Sequence, residues 1–244
     1  MKKTIALTTL GLTLILASLS VVAQTQSRDD VLKEIEKKRA EMAALEKKIL
    51  EPSAADREAN AEFLSGGDTG IIRLLPRETY DTGGKRTLTI RGGGAYYSFV
   101  LSTHEYGRGS DIELQQGYLS VGFAGFDHGL MLNVGDVPLN ELTSDHLAVR
   151  ALLGFQPAMK EDEIRKEQRA LWQGIDTGGF LFTGRVPAKV SNTYLLRSIS
   201  YDDSDIAVAF RVTRKDTDGS LILVFKILKK FPAPKAERNQ LADN

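Results

Sequence analysis

The stretch "TYLLRSISYDDSDIAVAFRVTRKDTDGSLILVFKIL" at residues 193–228 decides the fold. It contains apolar runs rich in β-branched and aromatic residues, separated by "YDDSD" and "RKDTDGS". Such runs are typical of strands, and short segments rich in Asp, Gly and Ser are typical of the turns that join antiparallel neighbours. The stretch therefore predicts an antiparallel meander with strands at Thr193–Ser200, Ile206–Thr213 and Leu221–Leu228.

Upstream of the meander, several shorter segments show strand patterns and are separated mostly by Gly, Asp or Asn. A charged helix is predicted at Glu161–Trp172, with Ile164, Leu171 and the only tryptophan on one side. Many short strands with few helices predict a mainly β (α+β) fold, an antiparallel β-sandwich or partly open barrel preceded by an N-terminal helical, coiled-coil segment. The further strands are predicted at Ile71–Leu75, Thr87–Arg91, Tyr96–Thr103, Ile112–Gln115, Tyr118–Phe123 and Leu130–Val134.

The composition sets limits on the class of protein. Apolar residues make up 42% of the 244 residues, as in an ordinary globular protein. Lys plus Arg equals Asp plus Glu at 32 each, so the chain lacks the basic excess of a nucleic-acid binder, and no nucleic acid is expected as a partner. The absence of cysteine excludes thiol catalysis, Cys-ligated zinc, disulfides and a lipidated N-terminal cysteine.

The first residues predict export. Lys2 and Lys3 precede an apolar run that ends at "VVA", the pattern of a secretory signal peptide at residues 1–23 with cleavage before Gln24. The alternative is an uncleaved membrane anchor, which the Thr and Gly residues of the run disfavour. We therefore expect a periplasmic or extracellular protein with no transmembrane domain after cleavage.

Residues 24–66 are predicted to be helical. Within 28–50, apolar residues follow a coiled-coil spacing, interrupted by Lys38, at Val31, Ile35, Met42, Leu45 and Ile49. This seam predicts a homo-oligomer or a helical partner; the alternative is a helix that lies on its own domain. A β-rich domain is predicted at 67–231, followed by a polar tail at 232–244.

The tetrapeptide "DTGG" occurs at 81–84 and again at 176–179. An aspartic protease would use Asp81 and Asp176 as carboxylates that share a proton. However, Asp176 follows a charged helix rather than an apolar strand, and Asp-Thr-Gly-Gly is also good turn chemistry. Turns are therefore the favoured interpretation, and a protease built on Asp81 would need a second chain.

Each of the three histidines stands beside an acidic residue. A metal-dependent enzyme would bring His104, His128 and His146 together. Neighbouring residues on a strand point to opposite faces, and no His-x-His or His-x-x-x-His spacing occurs, so neither a metal nor a cofactor is expected.

Aromatic residues concentrate between 96 and 126, where Tyr96, Tyr97 and Phe126 are candidate ligand-facing residues; the alternative is a β-domain core.

These observations favour an exported, non-enzymatic binding or envelope-associated structural module that self-associates through its N-terminal helix. The alternative is a secreted hydrolase, either aspartic-protease-like through Asp81 or metal-dependent through the His/acid doublets. The two differ in whether the acidic and histidine candidates converge in one pocket.

Overall fold

A computed structural model describes residues 27–82, 85–107, 109–123 and 125–237. The predicted signal peptide lies outside the described residues, as does the end of the predicted tail. The chain divides into two compact units, Met1–Ala40 and Glu41–Asn244. The helical segment predicted at 24–66 is therefore divided between them, with residues 41–66 in the unit that contains the sheets.

The predicted N-terminal helix is present as α1, which is capped by Ser27: its Oγ accepts a hydrogen bond from the Asp30 amide at 3.1 Å. Residues 54–64, in the later part of the segment predicted to be helical, form two short helices that are separated at Asn60, and the first begins with a capping box between Ser53 and Asp56. Within the described residues, no helix is long and apolar enough to cross a membrane. The α-helices are α1 Arg28–Leu50, α2 Ala54–Ala59, α3 Ala61–Leu64, α4 Arg77–Tyr80, α5 Leu147–Gly154 and α6 Glu161–Gln173, with a 3₁₀ turn at Leu139–Glu141.

The strands form two larger antiparallel sheets and two small hairpins. The strands are β1 Thr69–Leu74, β2 Asp81–Thr82, β3 Lys85–Arg86, β4 Tyr96–Tyr97, β5 Ile112–Gln115, β6 Tyr118–Ser120, β7 His128–Gly135, β8 Ile175–Thr177, β9 Phe180–Phe182, β10 Arg185–Pro187, β11 Thr193–Ser200, β12 Ser204–Lys215 and β13 Leu221–Phe231. The five-stranded sheet has the order β1-β13-β12-β11-β7, and the four-stranded sheet has the order β10-β6-β5-β4. The fold is thus a mainly β, sandwich-like α+β arrangement with an N-terminal helix.

The predicted meander is confirmed as β11, β12 and β13, and its alternation places side chains on two buried faces. One face packs against the four-stranded sheet, with Leu196 and Phe210 in one cluster with residues such as Leu114. The other face packs against α5 and α6, where Leu195 lies in one cluster with Leu152. Because both faces are covered, every residue of β11 is buried, including the polar residues Thr193, Arg197, Ser198 and Ser200.

Three predicted strands are wrong or too long: the strand predicted at Tyr118–Phe123 ends at Ser120, and two others differ more strongly. Thr87–Arg91 forms bends and turns, because Thr89 donates its amide to the Glu46 carboxylate instead of to a strand partner. The strand predicted at Tyr96–Thr103 ends at Tyr97, where the chain folds back and the Ser98 amide bonds the Thr103 carbonyl at 2.9 Å.

The C-terminal end of α1 is anchored within its unit. Glu46 is buried and also accepts a hydrogen bond from Thr89 Oγ1 at 2.8 Å. Leu50 packs with Leu75 and Leu88 in a small apolar cluster, which Ile49 joins. The last seam residue, Ile49, therefore packs within its own domain, whereas Met42 and Leu45 are exposed.

Candidate functional site

Aromatic and polar side chains from both ends of the four-stranded sheet, from α4 and from α6 surround a cleft of about 270 Å³. We call it the aromatic cleft. Strands β4, β5, β6 and β10 and the helices α4 and α6 all contribute lining residues. Its lining residues are Arg77, Tyr96, Tyr106, Glu113, Gln115, Ser120, Gly122, Phe123, Trp172 and Arg185.

Glu113 holds the polar part of the cleft in place. Its Oε1 accepts hydrogen bonds from Arg77 Nη1 at 3.0 Å and from the Tyr96 hydroxyl at 2.6 Å. Burial and the hydrogen bond to Glu113 raise the pKa of Tyr96 above its ordinary value, so the phenol stays protonated and donates. The result is a fixed set of polar groups whose positions are set before any ligand arrives.

The Tyr96 ring is the centre of the aromatic part. It lies 4.5 Å from the Tyr106 ring and 5.2 Å, edge to face, from the Phe123 ring, measured between centroids. Gly92 makes room for this ring, because a Cβ at residue 92 would overlap it and the residue has a φ of +80°. Gly92, the first residue of "GGG" at 92–94, therefore serves the packing of Tyr96.

Trp172 forms part of the rim. The helix predicted at Glu161–Trp172 is confirmed as α6, but the expectation that Trp172 shares the side of Ile164 and Leu171 is wrong. Successive helix residues are rotated by about 100°, so Leu171 is buried while Trp172 is 65% exposed. A large exposed indole beside a cleft is a typical ligand contact.

A second cavity of about 320 Å³ adjoins the aromatic cleft and shares Gly122, Phe123 and Trp172 with it. Its lining includes His128 and, on α6, Gln168. We call the two cavities together the groove.

Both ring nitrogens of His128 lie within 3.2 Å of a neighbouring oxygen atom. Its Nε2 lies 3.0 Å from Glu167 Oε2, and its Nδ1 lies 3.2 Å from the Phe126 carbonyl oxygen. The neighbouring Asp127 instead accepts a hydrogen bond from Ser200 Oγ at 2.9 Å. The contact between His128 and Glu167 links β7 to α6.

His104 lies elsewhere, in a cavity of about 570 Å³ beside the end of α1. Its Nε2 donates to the Arg73 carbonyl at 2.7 Å, and burial lowers its pKa from 6.5 to about 4. Its neighbour Glu105 pairs with Arg91 at 3.0 Å. His146 is the N-cap residue of α5, so the three histidines lie in three different surroundings.

The acidic candidates lie on separate hairpins. Asp81 is in β2, which pairs with β3. Asp176 is in β8, and its Oδ1 accepts a hydrogen bond from the Gly179 amide at 3.2 Å, as the turn interpretation requires. Across the described part of the chain, no group of three or more His, Asp or Glu residues could hold a metal ion.

The candidate aromatic residues are distributed over three places. Tyr96 lines the aromatic cleft, as described above. Tyr97 packs in the core between the sheets and also borders the cavity beside α1. Phe126 contacts Tyr201 and lies under the Arg165 guanidinium, 4.9 Å from ring centroid to Cζ. The sequence prediction missed three charged lining residues, Arg77, Glu113 and Arg185, because only the fold brings these distant positions together.

Comparison of the chain with protein-family models, with curated proteins and with solved structures finds no match.

Proposed function

We propose that this chain is an exported, non-enzymatic binding module and that the aromatic cleft is its ligand site. The observation that supports the proposal is convergence: aromatic and hydrogen-bonding side chains from several elements meet at this cleft. The acidic and histidine candidates for catalysis lie in different places, as described above.

The chemistry of the cleft fits recognition better than catalysis. Hydrolysis by acid and base groups needs a pair of titratable side chains with different roles. Glu113 is the only carboxylate among the described lining residues, and it already accepts hydrogen bonds from Arg77 and Tyr96. A carboxylate held in this way orients a ligand but has no second group with which to exchange protons.

The position of Trp172 provides a direct test, because it is the only tryptophan in the chain. We expect its fluorescence emission to change with one of three probe mixtures: neutral and acidic oligosaccharides, a random peptide library, or phosphatidylcholine/phosphatidylglycerol vesicles. Mass spectrometry of the same samples is expected to show no product. Products that disappear in Asp81→Asn or His128→Gln would instead support the secreted hydrolase, and unchanged emission with all three mixtures would contradict the proposal.

A matched pair of variants checks where the ligand binds. Tyr106→Ala removes an aromatic face of the cleft and is expected to weaken binding about tenfold, since aromatic contacts of this kind contribute roughly 0.5–1.5 kcal/mol beyond the buried area. Val190→Ala, at an exposed position outside the cleft lining, is expected to leave the affinity unchanged.

We further propose that the module works in the cell envelope or outside the cell, after loss of residues 1–23, and self-associates through α1. The signal-peptide pattern supports export, and the intact mass of the mature protein tests it. Exposed apolar side chains on α1 support self-association: Val31, Leu32, Ile35, Met42 and Leu45 are each 39–60% exposed. An aqueous monomer rarely presents such a row without a partner.

Light scattering tests the role of α1. The double substitution Ile35→Gln and Met42→Gln is expected to convert an oligomer into a monomer, because both side chains belong to the exposed seam. Ala44→Gln, which is also exposed on α1 but lies outside the seam, serves as the control. A wild-type protein that is already monomeric at high concentration would contradict self-association and leave the ligand site unaffected.

A further inference from the structure

The groove carries a positive charge without an internal partner. Arg77 is paired with Glu113, but Arg185 forms no ion pair with any carboxylate of the described residues. Its guanidinium lies instead over the Tyr118 ring, 4.0 Å from the centroid, which holds the planar group in a fixed orientation at the cleft. Arg169, which lines the adjoining cavity, likewise has no carboxylate partner among the described residues.

The carboxylates of the groove do not balance these charges. Glu113 is committed to Arg77 and Tyr96, and Asp127 accepts a hydrogen bond from Ser200. Two guanidinium groups are therefore available to a negatively charged ligand. Arginine is well suited to this role, because its planar fork forms paired hydrogen bonds with a carboxylate.

The lining also combines aromatic and polar groups in a way that selects the body of the ligand. Indole and phenyl faces at Trp172 and Phe123 match the apolar C–H faces of a sugar ring. Gln115 adds a side-chain amide, and Gln168 adds its side-chain oxygen, because the Gln168 Nε2 already donates to the Gly125 and Asp127 carbonyls at 3.2 and 2.9 Å. A lipid tail would leave such polar groups without partners, at a cost of roughly 1–3 kcal/mol each, whereas sugar hydroxyl groups would satisfy them.

We infer that the groove binds an acidic oligosaccharide, with a sugar ring stacked on Trp172 and a sugar carboxylate bound by Arg185. This inference rests on the proposed function and adds the chemical class of the ligand. The two adjoining cavities, about 270 and 320 Å³, offer room for more than a single small group, which fits a chain of sugars rather than a free anion.

Isothermal titration calorimetry of the full chain with trigalacturonate, and with maltotriose as the neutral probe, tests the inference. Trigalacturonate is expected to bind more tightly, and its affinity is expected to fall as salt rises. Arg185→Gln is expected to weaken trigalacturonate binding about 10- to 100-fold, the range for a lost hydrogen bond to a charged group, and to leave maltotriose unaffected. Trp172→Ala is expected to weaken the binding of both.

Two further variants test whether the geometry of Arg185 and its position in the groove are required. Arg185→Lys retains the charge but loses the fork, so an intermediate affinity is expected. Arg150→Gln, at an exposed arginine of α5 outside the groove lining, is expected to change nothing. Unfolding curves for all variants establish that any loss of affinity is not a loss of folded protein.

The outcomes separate this inference from the proposed function. Equal binding of both sugars, or no effect of Arg185→Gln, would contradict the acidic-oligosaccharide assignment. Neither result would contradict the proposal that the aromatic cleft is a ligand site. If neither sugar binds but Trp172 emission responds to peptides or vesicles, the acidic-oligosaccharide assignment is contradicted and the proposed ligand site is still supported. If Trp172 responds to no probe class at all, both fail together.

Discussion

Replacing Asp205 by Asn is expected to lower the free energy of unfolding by about 3–5 kcal/mol, a large part of the total for a domain of this size. Asp205 and Arg197 form a fully buried, doubly hydrogen-bonded pair, with distances of 2.8 Å from Arg197 Nε to Oδ1 and 2.7 Å from Nη2 to Oδ2. Without the carboxylate, the buried guanidinium would keep its charge but lose its counter-ion.

The rest of the Arg197 environment cannot compensate for that loss. Its Nη1 donates to the Phe155 carbonyl at 2.6 Å, and its Cζ lies 3.8 Å from the Phe231 ring centroid. These contacts orient the guanidinium but carry no full negative charge. The pair links β11 to β12 and connects both strands to the segment after α5, so its loss is expected to weaken the whole unit.

Urea denaturation of four variants measures the effect. Arg197→Met is expected to cost about as much as Asp205→Asn, and the double variant Arg197→Met, Asp205→Leu less than the sum of the two single losses, because neither buried charge remains. Glu161→Gln, which breaks the exposed pair with Arg165 on α6, is the control and should cost less than about 1 kcal/mol. A loss for Asp205→Asn as small as that of this control would contradict the prediction.

The pH dependence of stability is expected to contain two opposing contributions of about 3 kcal/mol each. Burial raises the pKa of Asp111 from 3.8 to about 6, and burial lowers the pKa of His104 from 6.5 to about 4. Asp111 binds its proton more tightly in the folded state, so its contribution to stability is lost as the pH rises from about 4 to 6. His104 binds its proton more weakly in the folded state, so its contribution is lost as the pH falls from 6.5 to about 4.

Because the two contributions occupy nearly the same pH range and have opposite signs, they largely cancel in the wild-type chain. Asp111→Asn removes the first, so its stability relative to wild type is expected to fall by about 3 kcal/mol between roughly pH 7 and pH 4. His104→Gln removes the second, so its relative stability is expected to rise by a similar amount over the same range. The comparison with wild type at each pH cancels the contributions of all other groups.

Urea denaturation at several values between about pH 4 and pH 7 checks this prediction. The geometry supports it, because Asp111 is fully buried with Oδ2 accepting from the Phe99 amide at 2.7 Å, while Oδ1 has no hydrogen-bond partner among the described residues. Parallel pH profiles for wild type and Asp111→Asn would contradict the buried-acid account. Parallel profiles for wild type and His104→Gln would contradict the buried-histidine account independently.

The strong local patterns of the sequence were enough to predict much of the fold. The strands predicted at Thr193–Ser200 and Ile112–Gln115 have those bounds in the structure, and the helix predicted from Glu161 extends to Gln173. Each has a long or regular pattern with clear turn or helix signals at its ends. In such segments the local preference and the tertiary packing favour the same conformation.

Other elements depend on distant contacts that a local pattern does not contain. At Thr87–Arg91 the Glu46 carboxylate of α1 accepts the hydrogen bond of the Thr89 amide, so this amide does not pair with a neighbouring strand. After Tyr97 the side chain of Ser98 accepts a hydrogen bond from the Leu101 amide at 3.1 Å, and Ser102 has a φ of 53°, so a local turn replaces the predicted strand. Helix α5 was not predicted, because it is short and is stabilised by packing on β11 rather than by caps.

The candidate site was predictable only in part. The aromatic concentration between residues 96 and 126 indicated the right region, and Tyr96, Tyr106 and Phe123 do line the cleft. The charged groups that give the cleft its selectivity come from α4, β5 and β10, and their sequences carry no shared motif. The exposure of Trp172 follows from its rotation around α6 relative to Leu171, which is a property of the packed helix.

Nuclear magnetic resonance of the single indole N–H tests the binding account most directly. With one tryptophan in the chain, a ¹⁵N-labelled sample gives one indole signal, which reports on the groove at a residue that lines both of its cavities. Titration with trigalacturonate is expected to move this signal progressively to saturation in the wild type, and to require a much higher concentration in Arg185→Gln. An indole signal that stays fixed while calorimetry detects trigalacturonate binding would show that the ligand binds elsewhere and would contradict the assignment of the cleft.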